Sequence, residues 1–298
     1  MSHAVLTESF KEIESEWEKM LPHCATNTIF ITPWWQKIWW QRFQNGIELK
    51  IISFHENETV LGIAPMILNT GVLSFLGGSD LFDYHDFIVP EYNEILFYNA
   101  LFEYLPEVQW NVIEMKSLPE KSPTLRYVPA IAKKMGYSVE VSNESVSPIA
   151  SLSPTWEGYL ENLSKKPRHE LKRKMRRLES AGTIQQYICE SPQTHSNCMK
   201  DFIRLMQASS SEKAAFLNPQ REEFFIDLAT ELGARNNIRL AILELNGIRV
   251  AACMSFDYLN SYLLYNSGYD PSYSKLSVGL VNKALAIKRA IEVGKDSF

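Results

Sequence analysis

The chain has 298 residues, 45% hydrophobic and 12% aromatic, enough apolar material for a substantial core and length for about two domains. Its 30 basic residues face 35 acidic ones, a net charge of −5, so DNA is not expected as a partner and any basic site must be local. No apolar run approaches the ~20 residues of a membrane span, the N-terminus has no basic-then-apolar signal segment, and Cys24, Cys189, Cys198 and Cys253 show no C-x-x-C spacing, so a reducing cytoplasm is expected, with neither metal site nor disulfide.

Phe10, Ile13, Trp17 and Met20 recur at helical spacing, and residues 1–27 are expected to hold a helix lying on its domain, without chemistry. Thr32-Pro33 opens a second helix, Trp34 to Phe43, in which Trp35, Ile38, Trp39 and Phe43 share one face. In the plainer reading these side chains pack on a sheet; in the other, Trp35 is part of a hydrophobic wall for a substrate or acyl group. Residues 48–54 and 59–68 form a hairpin across Glu56-Asn-Glu58, and 72–76 add a third strand. Ile95, Leu96, Leu101, Phe102 and Leu105 mark the buried stripe of a helix over 91–105, and Trp110 to Met115 is a further strand.

Between the third strand and that helix lies Gly77-Gly-Ser-Asp-Leu-Phe-Asp-Tyr-His-Asp86, a loop dense in groups that accept protons or hydrogen-bond a substrate. His85, flanked by Asp83 and Asp86, is the candidate base toward an amine or hydroxyl, with Tyr84 as a substrate contact. The plainer alternative has the aspartates capping a turn and His85 merely packing.

Residues 116–152 are proline- and serine-marked connections around one helix, Leu125 to Met135, closed by Gly136, and one strand near Tyr137 to Val141. Ser153-Pro154 starts a short helix carrying Trp156, Tyr159, Leu160 and Leu163. Next comes the one concentrated charge, Lys165 to Arg177, with eight basic residues against Glu170 alone. Leu171, Met175 and Leu178 give this segment a single apolar stripe, so it is an amphipathic helix whose remaining arc is basic. Three readings stay open: a solvated face, a phosphate site in which Arg168 and Lys172 contact the ligand, and contact with an anionic membrane surface. Two more helices follow within 183–237, one marked by Cys198, Phe202, Leu205 and Met206 and one starting at Asn218-Pro219; between them Ser209 to Phe216 reads as a mobile loop able to cover a cleft.

Ile238 to Leu245 is a strand, Asn246-Gly247 a tight hairpin turn, Ile248 to Asp257 the alternating return strand, and Ser261 to Ser267 a third strand. After Gly268-Tyr-Asp-Pro271, helical spacing runs from Val278 to Gly294. That helix opens at Ser274-Lys-Leu-Ser-Val-Gly279, where small residues let an anion approach first-turn N–H groups that have no partner within the helix. The order of elements repeats that of the first half without visible sequence identity, which makes two similar α/β units. In the second, the counterpart of Trp110 to Met115 would begin near Asp296; the last strand is expected to be missing, leaving a sheet edge that favours homo-oligomerisation or another partner.

Hairpin, strand, glycine-bearing loop and helix in this order resemble the acyl-CoA-binding half of a GNAT-type acetyltransferase, in which that loop cradles the CoA pyrophosphate. Tyr265-Asn-Ser-Gly-Tyr-Asp-Pro271 followed by Ser277-Val-Gly279 is similar to the CelD-like and FemAB-like branch, over roughly residues 28 to 298. The resemblance implies an α/β (α+β) fold of two GNAT-like halves, each a mixed, mostly antiparallel sheet with flanking helices: an acceptor half, 1–152, and a basic helix plus donor half, 153–298. It implies an acyltransferase that moves an acyl group from acetyl-CoA or another acyl-CoA to an amine or hydroxyl of a small-molecule or polysaccharide/peptidoglycan-type acceptor. Ser267, Gly268, Lys275, Leu276, Ser277, Val278 and Gly279 would hold the donor, Tyr269 would contact substrate, and Asp83, His85, Asp86 and Tyr265 would handle protons. The resemblance equally admits a FemAB-like aminoacyl- or peptidyltransferase whose basic helix grips tRNA. The single glycine of Lys275-Leu-Ser-Val-Gly279 also suits a non-catalytic binding protein on the same fold.

Overall fold

The structure is a computed structural model and describes residues 2–7, 9–189 and 192–298, without the side chains of Ser2, Pro192 and Gln193. It consists of two units, Met1–Val146 and Ser147–Phe298. Residues 147–152, assigned to the first half from the sequence, belong to the second unit, where Ala150 exchanges backbone hydrogen bonds with Phe298 and Leu152 N donates to Asp296 O. Among the described residues no helix is long and apolar enough to cross a membrane.

The first unit is a five-stranded sheet in sequence order: β1 (Ser2–Thr7), β2 (Glu48–Glu56), β3 (Thr59–Asn69), β4 (Val72–Phe75) and β5 (Val112–Glu114). Neighbours are antiparallel except β4 and β5, which run parallel. The β2–β3 turn uses Asn57 at φ 56°, a left-handed position that asparagine tolerates. On one side of the sheet lie α1 (Phe10–Met20) and α2 (Pro33–Phe43); α1 buries its four predicted apolar residues, and Trp17 Nε1 donates to Ile31 O at 2.9 Å. The other face carries α3 (Glu94–Tyr104) and α4 (Pro123–Lys134), packed with Phe54, Met66, Phe75 and Phe87 into one core.

Two expectations change here. The stripe buried by α3 is Phe97, Tyr98, Leu101 and Phe102, whereas Ile95 and Leu96 are exposed, because the helix begins three residues later than its periodicity suggested and turns its larger aromatic face inward. Residues 137–141 form no strand; Tyr137 and Val139 only pack on the core after Gly136, at φ +87°, ends the preceding helical turn.

The second unit repeats this plan: β6 (Ile184–Cys189), β7 (Ile238–Leu245), β8 (Ile248–Tyr258) and β9 (Ser261–Tyr269), all antiparallel. Two helices, the short α5 (Trp156–Asn162) and the longer α6 (Lys165–Glu179), precede β6. Helices α7 (Pro192–Ser209), α8 (Ser211–Phe216) and α9 (Pro219–Ala234) follow it, and α10 (Val278–Glu292) closes the order. The predicted loop 209–216 is mostly the helix α8, because Ser210 caps it by accepting from Lys213 N. Asn282 of α10 is fully buried, donates to Ala241 O at 3.2 Å and accepts from Gln186 Nε2, which pins α10 across the sheet.

The missing strand is present in reduced form. Ser297 makes a parallel bridge to Ser261, as β5 does to β4, and an antiparallel bridge to Ser151 on its other side. The edge of β9 is therefore covered at its start; from Leu264 onward it has no strand beside it among the described residues. The expectation of four reduced cysteines is also corrected, since Cys189 at the end of β6 and Cys198 in α7 form a disulfide, leaving Cys24 and Cys253 free and buried.

Candidate active site

The N-terminus of α10 is built by the chain just before it. Asp270 accepts from Ser272 N at 2.9 Å and starts a 3₁₀ turn, Pro271–Leu276, after which Ser277 takes a left-handed conformation, φ 57° and ψ 36°. Among the described residues no side chain caps the helix that follows, so its first-turn N–H groups lack a capping partner and carry partial positive charge. Arg177, near the end of α6, donates from Nη2 to Ser277 Oγ at 2.9 Å, and its Nε is buried without a hydrogen-bond partner. A guanidinium held beside an uncapped helix N-terminus is a ready site for phosphate oxygens. Of the predicted donor residues, Ser277, Val278 and Gly279 form this corner. Tyr269 covers Gly279, where an added Cβ would lie 3.2 Å from the ring. Leu276 instead packs in the core with Val278 and Val281, and Lys275 is exposed.

β9 leads into this corner with a bulge. Met254 pairs with Asn266 and Ser255 with Leu264, so the bulge falls at Tyr265, whose ring rests between Phe225 and Phe256. At Ser267 both backbone groups are held by side chains: Asn266 Oδ1 accepts from its N–H at 2.8 Å, and Lys213 of α8 donates to its carbonyl. Burial pushes the Lys213 ammonium below the usual lysine pKa, and the charge of Lys283 adds to that. In the sequence Lys213 is one residue of a polar stretch and Arg177 one of eight basic residues; only their reach to β9 and Ser277 sets them apart.

Gly268 has a different role from the predicted one. It is buried, and the backbone of Leu205 and Met206 in α7 lies against it so closely that a Cβ would sit 2.2 Å from Met206 N. Its lack of a side chain lets α7 pack on β9. Gly268→Ala is expected to lower unfolding stability by about 3 kcal/mol, measured by urea denaturation, because the helix backbone must move.

The amphipathic helix α6 forms as expected and, with α5, lines a cavity of about 550 Å³ whose walls include Trp156, Leu160, Met175, Arg168 and Lys172. Arg173 is paired with Glu170 at 2.7 Å, whose exposed carboxyl it holds well below the usual range, to about 2.

In the first unit, the loop 77–86 separates its three acid–base candidates. His85 is buried, stacked between Phe82 and Phe75 at centroid distances of 4.6 and 5.7 Å, with neither ring nitrogen hydrogen-bonded. Burial pushes its pKa down to about 3, so it stays neutral and, contrary to the sequence reading, is not the base. Its NMR resonances are expected to hold neutral positions from pH 8 to pH 5; a titration in that range would show the ring to be accessible.

Asp86 is likewise structural. Its buried carboxylate accepts from Thr26 Oγ1 at 2.6 Å, from Phe87 N at 2.9 Å and from Thr124 Oγ1, tying the loop to the start of α4. Asp83 alone keeps an exposed side chain. The protein around it still desolvates the carboxyl, pushing its pKa up to about 6, and no cation lowers it. Tyr84 is half-buried with its ring against Phe30. Trp35 is fully buried, edge-on to Phe30 at 4.8 Å and to Phe82 at 6.0 Å, so it forms core and not a substrate wall.

Residues 165–298 match the family described as Acetyltransferase (GNAT) domain. Three solved structures share the fold of the chain. FemX is 12% identical with a TM-score of 0.65, covering 99% of this chain and 87% of its own. The C-terminal domain of a putative lysylphosphatidylglycerol synthetase from Agrobacterium fabrum is 8% identical with a TM-score of 0.53, covering 97% and 78%. A tandem GNAT protein from the clavulanic acid biosynthesis pathway is 10% identical with a TM-score of 0.50, covering 100% and 88%. No curated protein sequence matches the chain. Residues 165–298 thus resemble a GNAT acetyltransferase domain, and the chain as a whole has the fold of these solved structures, a tandem GNAT protein among them.

Proposed function

We propose that the protein takes its acyl group from an acyl-CoA, acetyl-CoA being the simplest, and passes it to an amine or hydroxyl acceptor of small-molecule or polysaccharide/peptidoglycan type. The observation that carries the donor reading is the pairing of an uncapped α10 N-terminus with the partnerless, buried Nε of Arg177, a combination suited to a pyrophosphate. Ser277, Val278 and Gly279 supply backbone N–H groups there, and Arg177 supplies charge. Lys213 and the bulge at Tyr265 place a cation and a re-aimed side chain along the open edge of β9, where a thioester would follow from the phosphates. Asp83, ionised at neutral pH but poised near it, takes the proton of the acceptor.

One observation favours the aminoacyl-tRNA alternative: the cavity beneath α6 combines Trp156 with Arg168 and Lys172, and aromatic faces next to cations suit nucleotides as well as phosphates. Titration of the purified protein with acetyl-CoA, longer acyl-CoAs and aminoacyl-tRNA in parallel separates the two. Binding of CoA donors alone supports the first reading, and binding of aminoacyl-tRNA alone overturns it.

The triple variant Arg168→Gln, Lys172→Gln, Arg176→Gln is expected to change stability by less than about 1 kcal/mol, since these side chains make no ion pair among the described residues and Gln preserves helix propensity. Affinity for the polyphosphate-bearing donor should fall and lose part of its salt dependence. Unchanged salt dependence would mean that this arc of α6 is a solvated face.

A further inference from the structure

Far from the α10 N-terminus, the second unit holds a polar cavity of about 470 Å³ that the acyl-transfer reading does not use. It lies at the other end of α10, and fifteen residues of helix at about 1.5 Å each put the two ends roughly 20 Å apart. Its walls include Arg239 of β7, Asp257 of β8, Tyr262 of β9, Arg289 in the last turn of α10 and Lys295 just beyond it.

Three cations thus face one carboxylate. Asp257 is committed to two of them, accepting from Arg239 Nη2 at 3.0 Å and pairing with Lys295 Nζ. Among the described residues Arg289 has only a loose contact of 3.8 Å with Glu292, whose side chain is 47% exposed, so the cavity keeps an excess of positive charge. Tyr262 adds a second, independent observation. Its side chain is 1% exposed, its ring is stacked on Phe298 at 6.0 Å, and its hydroxyl is buried with no hydrogen-bond partner. A buried hydroxyl without a partner is costly and rare, and here it belongs to a residue that lines a cavity. Both Arg239 and Arg289 are close enough to act electrostatically on that phenol. The helix end does not repel an anion as a bare C-terminus would, because the carbonyls of Arg289, Ala290 and Ile291 accept from the N–H groups of Val293, Lys295 and Gly294.

We propose that this cavity is a second anion site, taking the phosphate or carboxylate group of a small metabolite, with the Tyr262 hydroxyl and the Arg289 guanidinium as donors and Lys295 as a supporting charge. The site is independent of the acyl donor and of where its phosphates bind.

The probes are inorganic phosphate and succinate, each titrated calorimetrically into the full chain and into Tyr262→Phe, Arg289→Gln and Arg177→Leu. Tyr262→Phe removes a single oxygen that has no partner, so it should fold with an unfolding midpoint equal to or above that of wild type. Saturable binding of at least one probe to wild type is expected, weakened about tenfold in Tyr262→Phe and in Arg289→Gln and unchanged in Arg177→Leu. The stronger of the two probes identifies the anion class. The proposal is overturned by absence of saturable binding of both probes, by binding that survives Tyr262→Phe and Arg289→Gln at wild-type strength, or by binding that Arg177→Leu alone abolishes.

Discussion

Arg177→Leu is expected to raise the dissociation constant of an acyl-CoA donor by about 10- to 100-fold while leaving the protein folded. Hydrogen bonds to a charged group contribute roughly 1.5–3 kcal/mol, and each 1.4 kcal/mol is a factor of ten in affinity. Among the described residues Arg177 makes one side-chain hydrogen bond, to Ser277 Oγ, and leaves Nε buried without a partner. Leucine loses the first and relieves the second, so stability should move by no more than about 1 kcal/mol. The two effects therefore separate: a large change in binding with a small change in unfolding. Calorimetric titration with acetyl-CoA beside urea denaturation of the same samples reads both. Arg177→Lys should restore charge but not the planar fork, recovering only part of the affinity and keeping the salt dependence. If Arg177→Leu binds every donor as wild type does, the phosphates do not lie at Ser277 and the donor assignment is lost.

What could be read from the sequence, and what could not, divides along the range of the interactions. The hairpins β2–β3 and β7–β8 announced themselves through alternation and turn residues, Asn57 and Asn246-Gly247, because the information for both lies within a few residues. β1 and β6 did not. Each is a single strand separated by helices from its partner, Leu6 pairing with Ile52 and Tyr187 with Ile242, and each is an edge whose residues stay largely exposed (β1) or half-exposed (β6), so neither carries strong periodicity. The same holds at the site. Ser277-Val-Gly279 stood out as small residues at a helix start, whereas Arg177 is a hundred residues from Ser277 along the chain and is marked only by what it touches. His85 and Asp83 show the converse. Neighbouring acids made the histidine look like the base, but stacking between Phe75 and Phe82 removes it from protons, while the carboxylate two residues earlier keeps solvent contact and a raised pKa. Local sequence specifies which titratable groups are present; burial decides which of them titrate.

Asp83→Asn should then show the largest loss in acyl transfer, about 10²- to 10⁴-fold in kcat/KM, the range contributed by a positioned general base. The pH profile is the sharper test. With a pKa of about 6, wild-type kcat/KM should rise about tenfold per pH unit below that value and level off above it, because only the carboxylate accepts a proton. The variant should retain a low rate without that limb, since an amide has nothing to ionise. Stability runs the other way. A carboxyl whose folded pKa lies above its unfolded value stabilises the fold at low pH and loses that contribution as pH rises through the folded pKa. Asp83→Asn should accordingly unfold at a temperature at least as high as wild type at pH 7, with the difference shrinking below about pH 4, where both states of Asp83 are protonated. A merely structural aspartate would lose stability at pH 7 and leave the acid limb in place. An Asp83→Asn enzyme with a wild-type rate and the same limb near pH 6 would assign the acceptor's proton to another group.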